Sequence, residues 1–133
     1  MARPLKKGES QLHRNIVEAL VRYFNEEGWE TLYAACGDYE EPPAQGRHEP
    51  DVIARDQRGV WVIGEAKTGN GDLNTEHSRQ QYWDFAHRVM RDGKNTPCPF
   101  YVCVPRQHEA DLTAILRELG IDLSSNVHVL VYG

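Results

Sequence analysis

Three side chains with the means to do chemistry fall close together in the middle of the chain: Asp51, Glu65 and Lys67. They sit in the stretch His48–Thr68, which is otherwise rich in strand-forming apolar residues. Charged side chains are seldom buried unless they are paired or bind a metal. Two carboxylates and an ammonium could serve hydrolysis. The carboxylates would hold a hard cation such as Mg²⁺, with Mn²⁺ as a substitute. The ammonium would position or activate a water and steady a phosphate.

The elements around them bring the three together. Pro50–Arg55 and Val60–Lys67 read as strands joined by the turn Asp56-Gln57-Arg58-Gly59. A three-residue loop Gln57–Gly59 puts glycine where a left-handed backbone is required. Arg55 then faces Trp61, Ile53 faces Ile63 and Asp51 faces Glu65. Lys67 follows two residues later on the same face. Opposed carboxylates repel. A shared proton, a bridging Lys67 or a divalent cation would relieve them. The same spacing also fits a strand leaving the core, with Glu65 and Lys67 in solvent.

The rest of the chain alternates between the two periodicities. Residues 1–8 form a flexible basic arm, and 9–133 a single domain. A helix is expected from about Glu9 to Glu27, with Leu12, Ile16, Leu20 and Tyr23 on one face and Gly28 as its stop. Strands follow at Trp29–Cys36 and in the hairpin, after a long Pro/Gly/acidic loop over 37–49. Gly69–Asn74 reads as a turn, and the exit Thr68–Gly71 as flexible. A second helix is expected over Thr75–Arg91, with Tyr82, Phe85, Ala86, Val89 and Met90 as its apolar stripe. Strand Phe100–Pro105, helix Gln107–Leu119 and strand Asn126–Gly133 complete the order α-β-β-β-α-β-α-β. Such a series predicts an α/β fold with a mixed sheet flanked by helices.

Composition narrows the function classes. The chain has 133 residues and a formal net charge of −5, which argues against coating DNA by bulk charge. Residues 1–24 nevertheless carry Arg3, Lys6, Lys7, Arg14 and Arg22 against Glu9 and Glu18. Residues 37–51 carry Arg47 against Asp38, Glu40, Glu41, Glu49 and Asp51. No apolar run approaches a membrane span, and the first residues lack the apolar core of a secretory signal, so a cytoplasmic location is expected. Cys36, Cys98 and Cys103 form no Cys-x-x-Cys pair and read as buried, reduced thiols rather than zinc ligands.

Pro50-Asp51, thirteen residues, then Glu65-Ala66-Lys67 resembles the signature of the PD-(D/E)XK nuclease superfamily. The apolar pattern around it and the order of elements from about Glu9 to Pro105 are similar as well. Members include restriction endonucleases and small Holliday junction resolvases. The resemblance implies a restriction-endonuclease-like core and a Mg²⁺-dependent nuclease acting on DNA as an endonuclease. Asp51, Glu65 and the backbone carbonyl of Ala66 would hold the metal, and Lys67 would position the water. Many members add an acidic residue from the first helix. Helical phase puts Glu9 on the buried side near His13 and turns Glu18 away, so Glu9 is preferred. On the second helix, Ser78 and Arg79 would hold a phosphate near the metal. Ser78 stands where an exonuclease-like branch has glutamine four residues before Tyr82. With so little chain beyond the core, specificity would come from substrate shape, a homodimer or a partner subunit. The fold also serves as an inactive module that binds nucleic acid or protein, but such members usually lose one of the trio.

Overall fold

The computed structural model describes residues 3–133. Its elements are α1 (Gln11–Glu26), β1 (Glu30–Ala34), β2 (Val52–Arg55), β3 (Trp61–Ala66), α2 (Glu76–Ala86), β4 (Phe100–Pro105), a 3₁₀ turn (Arg106–His108), α3 (Glu109–Glu118) and β5 (Val127–Tyr132). The strands form one sheet in chain order, β1-β2-β3-β4-β5. β2 runs antiparallel to both β1 and β3; β4 joins β3 in parallel, and β5 joins β4 likewise. The mixed α/β sheet expected from the alternation of periods is present.

Strand alternation divides the core. Val52, Ala54, Val62 and Cys103 face α1, where Ile16, Val17, Leu20 and Phe24 are fully buried. Ile63, Phe100, Val102 and Val104 face the other way, against Tyr82 and Phe85 of α2 and Leu112 and Leu116 of α3. Each such large apolar side chain contributes about 1.5–3 kcal/mol on burial. Cys98 and Cys103 fall in these two separate clusters, so they share no zinc site. All three cysteines are free and buried, and burial pushes the Cys103 thiol up to about 11.

The hairpin has the expected register. Ile53 pairs with Ile63 and Arg55 with Trp61, and the ladder ends at Val52 and Gly64. Gly59 takes the left-handed conformation, at φ 81°. Asp56 closes the turn by accepting from the backbone N–H groups of Arg58 and Val60 at 2.8 and 3.1 Å.

Several boundaries differ from expectation. α1 begins at Gln11, because Ser10 caps it by accepting from the His13 N–H at 3.1 Å. α2 ends at Ala86 rather than Arg91. Beyond it the chain becomes extended: Met90 N–H donates to Thr96 and Cys98 N–H to Arg88. Val89, expected in the buried stripe, is exposed. Gln107 lies in the 3₁₀ turn ahead of α3. The segment expected as a loose arm is fastened from residue 3 onward. Buried Arg14 donates to the carbonyls of Arg3 and Pro4 at 2.6 and 3.0 Å. Arg3 in turn binds the Ala34 carbonyl and Glu41. No helix among the described residues is long and apolar enough to cross a membrane.

Candidate active site

Asp51 lies one residue before β2, with its backbone held on both sides. Its N–H donates to Gly64 at 3.1 Å and its carbonyl accepts from Ala35 at 2.8 Å. The backbone ladder stops at the Val52–Gly64 pair, one step short of the expected Asp51–Glu65 pairing, but the two carboxyl side chains still lie beside each other. Asp51 Oδ2 accepts the Ala66 N–H at 2.8 Å. Glu65 and Lys67 are only 3% and 5% exposed. Lys67 Nζ stands 3.3 Å from Glu65 Oε2. The trio therefore converges at the end of the hairpin, and the alternative of a solvated Glu65 and Lys67 is excluded.

α2 completes the lysine's surroundings. Lys67 Nζ donates to Ser78 Oγ at 3.2 Å and to Gln81 Oε1 at 2.5 Å. Thr75 caps α2 by accepting from the Ser78 N–H, which fixes where Ser78 starts the helix. Ser78 is thus a lysine partner whose own hydroxyl donates to the Asp72 carbonyl. Asp72 also binds the N–H groups of Thr68 and Gly69 at 2.7 and 2.8 Å. The exit loop expected to be flexible is therefore braced. A Cβ on Gly69 would come within 2.1 Å of the His108 ring, so only glycine fits there.

Glu9 does not join the carboxylate pair directly. Its Oε1 accepts from Arg14 at 2.9 Å and from the Lys6 N–H at 3.1 Å. Its Oε2 lies 2.7 Å from His13 Nδ1. His13 Nε2 then faces Asp51 Oδ2 at 3.3 Å. Glu9 thus stands one step removed from Asp51, through His13, and Glu18 is exposed. Arg79 is not brought to the trio: it pairs with Glu118 at 3.0 Å and donates to Asn74 on another side of α2. His13, Gln81 and Asp72 are the site neighbours that sequence reasoning did not place there. Gln81 had one usable signal, since it lies three residues after Ser78 on one helical face.

The electrostatics follow from crowding. Burial and the adjacent Asp51 charge raise the Glu65 pKa well above the carboxylate range, and the nearby Lys67 and His13 only partly oppose them. Burial would raise Asp51 too, but His13, Glu65 and the Ala66 N–H together hold it low. Burial disfavours charged His13, yet Asp51, Glu9 and Glu65 override this and raise it to about 9. His13 is then an imidazolium at neutral pH, hydrogen-bonded to Glu9 through one ring nitrogen and ion-paired with Asp51 through the other.

Glu65 Oε1 is buried with no hydrogen-bond partner among the described residues. Such an acceptor is costly unless a proton or a cation reaches it. A hard divalent cation fits this donor set: two carboxylates suffice when it keeps several waters. No group of three or more His, Cys, Asp or Glu among the described residues is arranged to hold a metal. The fit is therefore to a sparse carboxylate site and not to an all-protein cage. A cavity of about 320 Å³ lies over Glu65, Lys67, Ser78 and Gln81. It adjoins a cleft of about 470 Å³ that shares His13, Asp51 and Asp72. Searches of protein-family models, curated proteins and solved structures return no match to this chain.

Proposed function

We propose that the chain is a Mg²⁺-dependent nuclease with a restriction-endonuclease-like core, hydrolysing phosphodiester bonds in DNA as an endonuclease. The observation that carries the reading is the unpartnered Glu65 Oε1, buried beside Asp51 and 3.3 Å on its other oxygen from Lys67 Nζ. This is an acceptor pair with a place for a cation and a proton-handling amine beside it.

Asp51 and Glu65 would hold the divalent cation, with the Ala66 carbonyl as the oxygen that the PD-(D/E)XK resemblance adds. When bound, the cation supplies charge to the phosphate oxygens and makes a water more acidic. Asp51 keeps its charge because the Ala66 N–H and His13 favour the ionised form. Lys67 is aimed by Ser78 and Gln81, so its ammonium is pre-positioned beside the carboxylates. As an ammonium it orients the attacking water and gives the proton at Nζ to the leaving oxygen, while the water's proton passes to solvent. His13, itself held by Glu9, fixes the Asp51 carboxylate in place.

Cleavage of supercoiled plasmid, linear duplex, single strands, flaps and four-way junctions with Mg²⁺ tests the reading. Wild type should cleave at least one substrate, and Glu65→Ala and Lys67→Ala should not. Titration calorimetry with Mn²⁺ should show heat for wild type and none for Asp51→Ala. Equal cleavage by all three proteins, or no metal binding even with DNA present, overturns it. DNA binding without cleavage would leave an inactive nuclease-fold module.

A further inference from the structure

The cleft above Asp51 has two walls of unlike chemistry. One is the arm segment Lys6–Ser10; the other is the loop from Thr68 to Asp72. On the nuclease reading above, a phosphodiester strand must enter past Asp51, Glu65, Glu9 and Asp72, in a chain of formal charge −5. Such an approach is repulsive unless cations line the way.

Most of the nearby cations are already engaged. Lys67 serves Glu65, Ser78 and Gln81. Arg14 is buried on Glu9 and the arm's carbonyls. Lys6 pairs with Glu41 at 2.9 Å, and Arg79 with Glu118. Lys7 is different. It is exposed, lines the cleft, and has no ion pair or hydrogen bond among the described residues.

We infer that Lys7 is a phosphate contact for the nucleic-acid strand entering the site, carried on the arm as a fixed mount. The mount is built. Lys6 and Glu9 exchange backbone and side-chain hydrogen bonds at 2.9 and 3.1 Å, on either side of Lys7. Arg14 pins the chain just before them. A contact from a held segment loses less freedom on binding than one from a loose tail. A lysine on phosphate reads charge and not bases, so this contact adds affinity without sequence preference.

The test is fluorescence anisotropy of a short labelled DNA duplex in EDTA over a range of NaCl concentrations. Wild type is compared with Lys7→Ala, Lys7→Arg and, as a control far from the cleft, Lys94→Ala. Lys7→Ala should bind about threefold to tenfold more weakly, and its plot of log affinity against log salt should be shallower by about 0.9. Lys7→Arg should retain binding, and Lys94→Ala should match wild type. If wild type binds duplex and Lys7→Ala matches it in affinity and slope, the role of Lys7 falls while the nuclease reading stands. If wild type neither binds nor cleaves DNA, both fall together.

Discussion

His13 Nε2 faces Asp51 Oδ2 at 3.3 Å, while its Nδ1 sits 2.7 Å from Glu9. One imidazolium thus stands between two carboxylates, and the fold depends on its charge. Its folded pKa of about 9 exceeds the unfolded value near 6.5, so the native state holds the proton more tightly. This stabilisation is fully present below about pH 6.5 and is lost as pH rises through about 9. After solvent screening it amounts to about 1–2 kcal/mol. Melting of the metal-free protein in chelator from pH 6 to 10 should show the loss. His13→Gln should flatten the profile over that window; an unchanged slope would remove His13 from the linkage.

Glu65→Gln should separate stability from function. The amide is neutral and nearly isosteric, so the repulsion with Asp51 disappears. In chelator at pH 8 the variant should melt higher than wild type, by the equivalent of about 1 kcal/mol. Calorimetry should find its Mn²⁺ binding abolished. A lower melting temperature together with retained metal binding would contradict the assignment.

Lys67→Met keeps the length of the side chain and removes the ammonium. Cleavage should fall about 10²–10⁴-fold, the usual span for a proton-handling group. Mn²⁺ should still bind, because Asp51 and Glu65 remain. Single-turnover rates on the preferred substrate, alongside calorimetry, check both halves.

Gly69→Ala tests the brace on the exit loop. Its φ of 86° and the 2.1 Å approach to His108 make any side chain costly, by about 1–3 kcal/mol. Adding His108→Ala should recover the steric part and leave the backbone part. Urea denaturation of the single and double variants measures both contributions.

The hairpin was readable because its signals agree. Period-two alternation, the turn glycine Gly59 and the position of Asp51 admit one register, and the observed ladder has it. Elsewhere periodicity misled for physical reasons. Val89 and Met90 continue a helical stripe on paper, but an extended return pairing Val89 with Pro97 replaces the last turns. Ser78 and Arg79 are neighbours in sequence yet about 100° apart on a helix. One reaches Lys67 and the other Glu118. Glu9 precedes the helix start, so helical phase does not govern it, and the sequence carries no sign that Arg14 and His13 occupy its oxygens. Arg14 itself is buried by the arm folding over it, a tertiary event with no local signature.

The sheet keeps its strands in chain order, so Asp51 and Glu65 meet across a hairpin only fourteen positions apart. Short-range pairings of this kind form cheaply and early, because little loop entropy is spent. On these principles the two carboxylates would be brought together while the chain is still folding. Any cation that seats there should speed refolding as well as slow unfolding, which ties the production of native molecules to the ionic conditions in which the chain folds.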